Sequence, residues 1–324
     1  MRTYRYRILN VFAETTFGGN PLCVFEDGSG LSDAEMQALA LQFNLSETTF
    51  ILPSRSATAR VRIFTPGYEM PFAGHPTLGT SHVVRALTGV GDSLTLEMRA
   101  GVVPVQAQGD TWTLVAPGGG APEVRRPVLP AATIAAQLGV STDDLLSEPL
   151  WLDTGAHQLL VPLKSVEAVR RARPDAARLD EWEASKASRR VAYVFAFDLR
   201  LDDPAGHAHR SGDGRRPHGG NADPGEGGDG SPPHGGNGVN HVLARYFFVK
   251  PGGGVVEDPG TGSACANLGG WCVATGRSLP LHIRVAQGEQ AGRPCVMGLR
   301  VTADGRISVS GQVLELGSGS IKLP

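Results

Sequence analysis

The 324-residue sequence predicts two similar domains, each mixing strand and helix, and three observations carry that expectation. The chain is long enough for two ordinary cores, because single domains hold about one to two hundred residues. A weak internal repeat runs through it: Arg62-Ile63-Phe64-Thr65-Pro66-Gly67 leads to Gly74-His75-Pro76-Thr77-Leu78-Gly79, and Arg245-Tyr246-Phe247-Phe248 leads through Pro251-Gly252 to Pro259-Gly260-Thr261-Gly262-Ser263. Each copy reads as strand, Gly/Pro turn and glycine-rich helix start, which brings two helix N-termini to face one another across a cleft. Between the copies, residues 116–122 (APGGGAP) have neither periodicity nor apolar anchors and form the expected linker.

In chain order, residues 4–11 and 22–25 have strand composition and are separated by the turn Phe17-Gly18-Gly19-Asn20-Pro21. Ser32 with Glu35 makes a capping box, and Met36, Leu39, Ala40 and Phe43 follow at helical spacing, so a helix is predicted over 33–43 with Asn44 as its stop. Residues 45–52 and 59–64 return to strand. Gly74-His75-Pro76 opens a second helix, with Pro76 where a missing N–H does no harm, and Gly89 ends it. The small-residue run 262–270 fits a helix packed closely on all sides.

Composition narrows the function classes. A net charge of -2 supplies no general attraction for nucleic acid or anionic membrane, and no apolar run reaches membrane-spanning length, so a small-molecule partner and a cytoplasmic location are expected. Cys23, Cys265, Cys272 and Cys295 lack CxxC spacing and fit buried free thiols better than a zinc site or a disulfide framework. Residues 202–238 contain no aromatic residue and no Ile, Leu, Val or Met, and read as a disordered insertion. Its His207, His209, His218 and His234 form a loose set, for which a solvated linker is favoured over a designed metal site. No metal or cofactor is expected.

Three side chains stand out for chemistry. Glu47 is the only ionisable residue between Glu35 and Arg55. By strand alternation it shares a face with Leu45, Thr49 and Ile51, so it lies either at an exposed sheet edge or in an apolar cleft where desolvation raises its pKa toward that of a general base. His75, at a helix start, serves either as part of the helix cap or in a site where amides and helix dipole favour a neutral imidazole and a bound anion. Asp258, assigned to the place corresponding to His75 in the second half, is either a turn and N-cap residue or a functional carboxylate. The amides at Gly74, His75 and the 262–263 helix start are candidates to hold a substrate carboxylate or a developing enolate. No Rossmann glycine pattern, HExxH or GxSxG sequence is present.

Five ordered motifs, FGGNP at 17–21, LSETTF at 45–50, FAGHPTLG at 72–79, EDPGTGSA at 257–264, and Gln287-Gly288 through Gly292-Arg293-Pro294, together resemble the phenazine-biosynthesis PhzF-like isomerase family. The resemblance implies the diaminopimelate-epimerase-like α+β fold, two similar halves that are each a curved, mostly antiparallel sheet or barrel around a central helix. It also implies an active site between the halves and a homodimer. The expected division is 1–118, completed by a C-terminal strand near 312–324, and 123–311. By the same resemblance Glu47 moves a proton between two carbons of a cyclic dihydro-hydroxyanthranilate-like carboxylate without a cofactor. His75, Asp258 and Ser263 bind and polarise the substrate or assist, and Asn20, Gly74 and Gly262 join Ser263 in substrate binding. Related amino-acid epimerases use two cysteines, where this chain has Ala73 in one half and roughly Asp258-Pro259 in the other, so two-thiol racemisation is disfavoured. The competing readings are a non-catalytic binder of small aromatic or amino acids in the same cleft, and a metal-binding or scaffolding role for 202–238.

Overall fold

A computed structural model describes residues 1–117, 122–198, 240–250 and 252–324. The disordered insertion expected at 202–238, with its four histidines, and the centre of the expected linker lie outside the described residues.

Helix α1 (Asp33–Phe43) forms where the capping box predicts it: Ser32 accepts from the Glu35 amide, the Glu35 carboxylate accepts from the Ser32 amide, and Asn44 ends the helix in the left-handed region. Its Met36, Leu39 and Ala40 pack with Phe25, Phe50 and Phe64 into a satellite cluster outside the first barrel.

That barrel is closed by eight strands, in spatial order Arg2–Val11, Asn20–Phe25, Glu47–Leu52, Ala59–Phe64, Ser93–Met98, Gly101–Gln108, Thr111–Val115 and Ile307–Leu323, the last pairing back onto the first. Closure leaves no free edge. Residues 313–323 pair with 2–11, so the chain's last strand completes the sheet in which its first strand lies. Through the barrel runs α2 (Gly74–Thr88), buried over most of its length. It fits because its residues are small. A Cβ on Gly79 would lie 2.5 Å from Leu22 Cδ2 and 2.9 Å from Val11 Cγ2, so only glycine lets this helix approach those strands.

The second half repeats the order. Strands Leu150–Asp153, His157–Pro162, Val191–Phe197, Asn240–Val249, Leu281–Gln287, Cys295–Val301 and the start of Ile307–Leu323 curve around a central helix. Two shorter helices come first in the chain, α3 (Ala131–Gln137) and α4 (Val166–Arg171); the central helix is α5 (Gly262–Ala274). Each half has parallel pairings at the same two places: 20–25 with 47–52 and 59–64 with 93–98, matched by 157–162 with 191–197 and 240–249 with 281–287.

One interaction is duplicated with the sequence repeat. Arg62 donates from Nε and Nη2 to both carboxylate oxygens of Glu69, each at 2.8 Å, and lies over the Phe64 ring. Arg245 does the same to Glu257, at 3.1 and 2.7 Å, and lies over Phe247. In each half this fork ties the short strand before the central helix to its neighbour. The register that superposes the two forks pairs Gly74 with Gly262 and His75 with Ser263. Asp258 therefore corresponds to Met70 and not to His75, which corrects the expectation from sequence; the Gly/Pro turns differ in length, and the arginine-glutamate pair fixes the alignment better than the turn does.

Candidate active site

The two central helices meet at their N-termini. A Cβ built on Gly74 would lie 3.6 Å from the Gly262 Cα, so the two backbones are separated by little more than the width of one methyl group. Neither helix is capped by a side chain. The amides of Gly74, His75, Gly262 and Ser263 take no acceptor among the described residues, and four such donors at two converging helix starts suit an anion.

Glu47 is the first residue of its strand, at the end of the barrel where α2 begins. Its side chain is 15% exposed and its Oε2 lies 3.4 Å from His75 Nε2. Neither atom has a hydrogen-bond partner in this arrangement, which leaves both free to engage a ligand. Burial raises the Glu47 pKa to about 8, the nearby Asp258 carboxylate adds to the rise, and Arg189 opposes it. The cleft reading of Glu47 is the one the structure supports. His75 is fully desolvated, which holds its pKa down at about 3 against the opposing effect of a hydrogen bond to the Pro21 carbonyl. It is a neutral imidazole at any working pH.

Asp258 is set by its neighbours. Asn20 Nδ2 donates to its Oδ1 at 2.9 Å and to the Gly260 carbonyl at 3.0 Å, and Thr261 Oγ1 donates to its Oδ2. Burial raises the Asp258 pKa to about 6, and these donors limit the rise. Asn20, expected to contact substrate directly, is fully buried, and its amide hydrogens go to Asp258 and Gly260. It carries the first half's FGGNP turn to the second half's carboxylate. The last motif reinforces that bridge: Arg293 donates to the Gly19 carbonyl at 2.9 Å and to Asn10 Oδ1 at 2.7 Å, and the Gly19 amide donates to the Pro294 carbonyl at 2.8 Å. Gln287 Nε2 donates to the Asp258 carbonyl at 2.8 Å and to Thr261 Oγ1 at 3.0 Å.

A small cavity opens beside the helix starts, with Gly74, Gly262, Ser263, Phe72, Thr154 and Ala156 in its wall. Glu47, His75 and Asp258 are not part of that wall, which meets them only through the two helix starts. Three further residues stand close to these groups. Gln158 donates to Ser263 Oγ at 2.9 Å and to Tyr246 Oη at 3.3 Å. Burial pushes the Tyr246 phenol up to about 12, so it stays protonated. Arg189 is half-buried, sits in no ion pair among the described residues, and its charge is felt by Glu47, Asp258 and Tyr246. Gln158 follows His157 at the polar start of the otherwise apolar strand HQLLVP, a weak signal; nothing local marks Arg189.

The four cysteines are buried and free, and burial raises every thiol, Cys272 to about 11, so none is poised as a thiolate. No three His, Cys, Asp or Glu side chains group as a metal set among the described residues. No helix among them is long and apolar enough to cross a membrane.

The family profile for phenazine biosynthesis-like proteins (PhzC-PhzF) matches residues 9–209 and 227–318. This chain belongs to that family. It is 34% identical over 323 residues to an uncharacterized isomerase of Pasteurella multocida, covering 99% of this chain and 95% of the relative. It is 32% identical over 330 residues to the trans-2,3-dihydro-3-hydroxyanthranilate isomerase of Pseudomonas aeruginosa, covering 98% of each. The crystal structure of a PhzF-family phenazine biosynthesis protein from Bacillus anthracis superimposes with a TM-score of 0.75 at 22% identity, covering 100% of both chains. The α+β fold expected from the resemblance, diaminopimelate-epimerase-like, is the fold found, and by kinship the PhzF-family chain is an isomerase.

Proposed function

We propose that this isomerase moves a proton between two carbons of a small cyclic carboxylate of the dihydro-hydroxyanthranilate type, with Glu47 both taking and returning the proton. The observation that carries the reading is the Glu47 carboxyl, buried at the junction of the two halves against His75 and held at a pKa of about 8. A base in that range is matched to proton transfer near neutral pH.

In the first step the Glu47 carboxylate takes a C–H proton, and the electron pair left on carbon delocalises into the adjacent unsaturation. In the second the Glu47 carboxylic acid returns the proton to another carbon of the same system. Bonds and charge balance, nothing is oxidised or reduced, and no cofactor is called for. The unpartnered amides at Gly74, His75, Gly262 and Ser263 suit the substrate carboxylate, and the field of these N–H donors also stabilises negative charge that develops beside them. Neutral His75, its other nitrogen engaged by the Pro21 carbonyl, turns the Nε2 lone pair toward Glu47 and is placed to accept a hydrogen bond from the carboxylic acid when Glu47 is protonated, the proton staying on Glu47. Asp258, ionised above about pH 6, suits an amine of the substrate. The pair divides the work because their environments separate their pKa values.

The test incubates the wild type and Glu47→Gln with trans-2,3-dihydro-3-hydroxyanthranilate in deuterated water, followed by proton NMR. Product formation that drops by about 10²–10⁴-fold in the variant is expected; a variant that retains turnover within threefold of the wild type removes Glu47 from the proposed role.

A further inference from the structure

Behind Ser263 lies a chain of buried amides whose orientation can be read from the backbone outward. Asn267, on α5 and fully buried, accepts at Oδ1 from the Thr154 amide at 2.9 Å and from the Thr154 hydroxyl at 2.8 Å. Its Nδ2 donates to the Ala156 carbonyl at 2.7 Å and to Gln158 Oε1 at 2.7 Å. A backbone N–H can only donate and a carbonyl can only accept, so the Thr154 amide and the Ala156 carbonyl together permit one orientation of the Asn267 amide. That orientation presents an N–H to Gln158, which must answer with its oxygen. The Gln158 nitrogen is thereby turned the other way, and its two hydrogens meet Ser263 Oγ at 2.9 Å and Tyr246 Oη at 3.3 Å.

We infer that Gln158, locked by Asn267, is a positioning residue that makes both hydroxyls acceptors on their protein side and so commits their protons to donation away from Gln158. For Ser263 that direction is the helix junction and the cavity it lines. A hydroxyl facing a ligand is ordinarily ambivalent, able to donate or accept by rotating; here the rotation is decided in advance by a backbone amide and a carbonyl on the 154–156 segment. The site is thereby tuned to a group that accepts, such as a carboxylate or an enolate oxygen, and against an ammonium, which can only donate, in the same place. Removing the ambivalence also removes a rotor that binding would otherwise have to order. This inference rests on the proposed function for the identity of the ligand, but not for the direction of the protons.

Neutron diffraction from crystals of the full chain grown in deuterated solvent tests the direction without turnover. Deuterons on Ser263 Oγ and Tyr246 Oη that point away from Gln158, with two deuterons on the Gln158 nitrogen pointing at them, are expected. Either hydroxyl deuteron directed at Gln158 overturns the inference, whatever the enzyme's substrate proves to be. The functional consequence is read with trans-2,3-dihydro-3-hydroxyanthranilate in Gln158→Glu, whose carboxylate draws both hydroxyl protons onto itself. KM is expected to rise at least tenfold, and the rise to shrink below threefold when the same change is made in Ser263→Ala, because the two residues act as one unit. Equal losses in both backgrounds would mean that Gln158 does not act through Ser263. Absence of turnover by the wild type would sink the proposed substrate while leaving the neutron result to decide the inference.

Discussion

The two halves share an architecture but not a chemistry. In the first, Arg62 faces Phe50, three residues beyond Glu47; in the second, Arg245 faces Val194, three residues beyond Val191. The barrel position that carries Glu47 is therefore filled by Val191, a fully apolar core residue. His75 is matched by Ser263, and Met70 by Asp258. One half supplies Glu47 and its imidazole neighbour, the other the Asp258 carboxylate and the Ser263 hydroxyl. A duplicated scaffold with an acid/base group on each side suits racemisation through two bases; with the symmetry broken at 47/191, the proposed reaction has Glu47 alone take the proton and give it back. The lesson is that pseudo-symmetric backbones place side chains in equivalent positions, while the identity of one residue in each pair decides the reaction.

The comparison is broken most severely at those two positions. Glu47→Gln should lower kcat by about 10²–10⁴-fold, whereas Val191→Gln should change kcat less than tenfold while lowering stability, since it puts an unpaired amide into an apolar core. Initial rates and urea unfolding on the two variants separate these outcomes.

The duplicated forks come next. Arg245 is the more heavily engaged, because its Nη1 also donates to the carbonyls of Val169, Arg170 and Ala172 at the end of α4; the second partner of Arg62 is the exposed Asp33. Arg245→Met should cost about 3–5 kcal/mol by stranding Glu257 and those carbonyls, and Arg62→Met about 1–3 kcal/mol. Equal losses in equilibrium unfolding would show that the extra carbonyl contacts contribute nothing.

The electrical asymmetry can be titrated. The folded protein holds the Glu47 proton up to about pH 8, while an unfolded chain releases it near the ordinary glutamate value of 4.5. Stability from this group is therefore fully present below that lower value and is lost as pH rises through about 8. Thermal melts should show Glu47→Gln gaining on the wild type between those limits and holding a constant advantage above them. Because Asp258 helps to raise the Glu47 pKa, Asp258→Asn should lower the Glu47 midpoint, as read by carbon NMR of the labelled carboxyl. An unmoved midpoint would mean the two carboxyls do not interact.

The smallest effect concerns the first half's central helix. Gly79→Ala should destabilise by about 1–3 kcal/mol, because the added methyl meets Leu22 and Val11 in a closed barrel that cannot open to admit it. Calorimetry on that variant measures how rigid the barrel is.

Much of this was legible without coordinates where the determinants were local. The Ser32/Glu35 capping box, Asn44 and Gly89 set the ends of α1 and α2, since caps satisfy orphan backbone groups within a few residues of sequence. The strand-turn-helix repeat pointed to the duplication, and the isolation of Glu47 among apolar neighbours singled it out while leaving a sheet edge and a cleft equally open; the family resemblance gave it the role of base. Residues 123–187 yielded no such reading: α3 has no side-chain cap, α4 is only six residues long, and the strands between them are short and nearly all apolar, so their period is invisible.

By itself, then, the sequence determined the duplicated order of elements, the positions of the two glycine-rich helix starts, and the residue types able to carry proton transfer, because propensity, capping and close packing act over short stretches of chain. Only the tertiary structure decided that Glu47 is in a cleft and not at an edge, that Asn20 holds Asp258 across the junction, and that Arg189, Tyr246 and Gln158 belong to the site. Those are matters of desolvation, distance and hydrogen-bond direction between residues as many as 238 positions apart, and they come into being only when the halves close on one another.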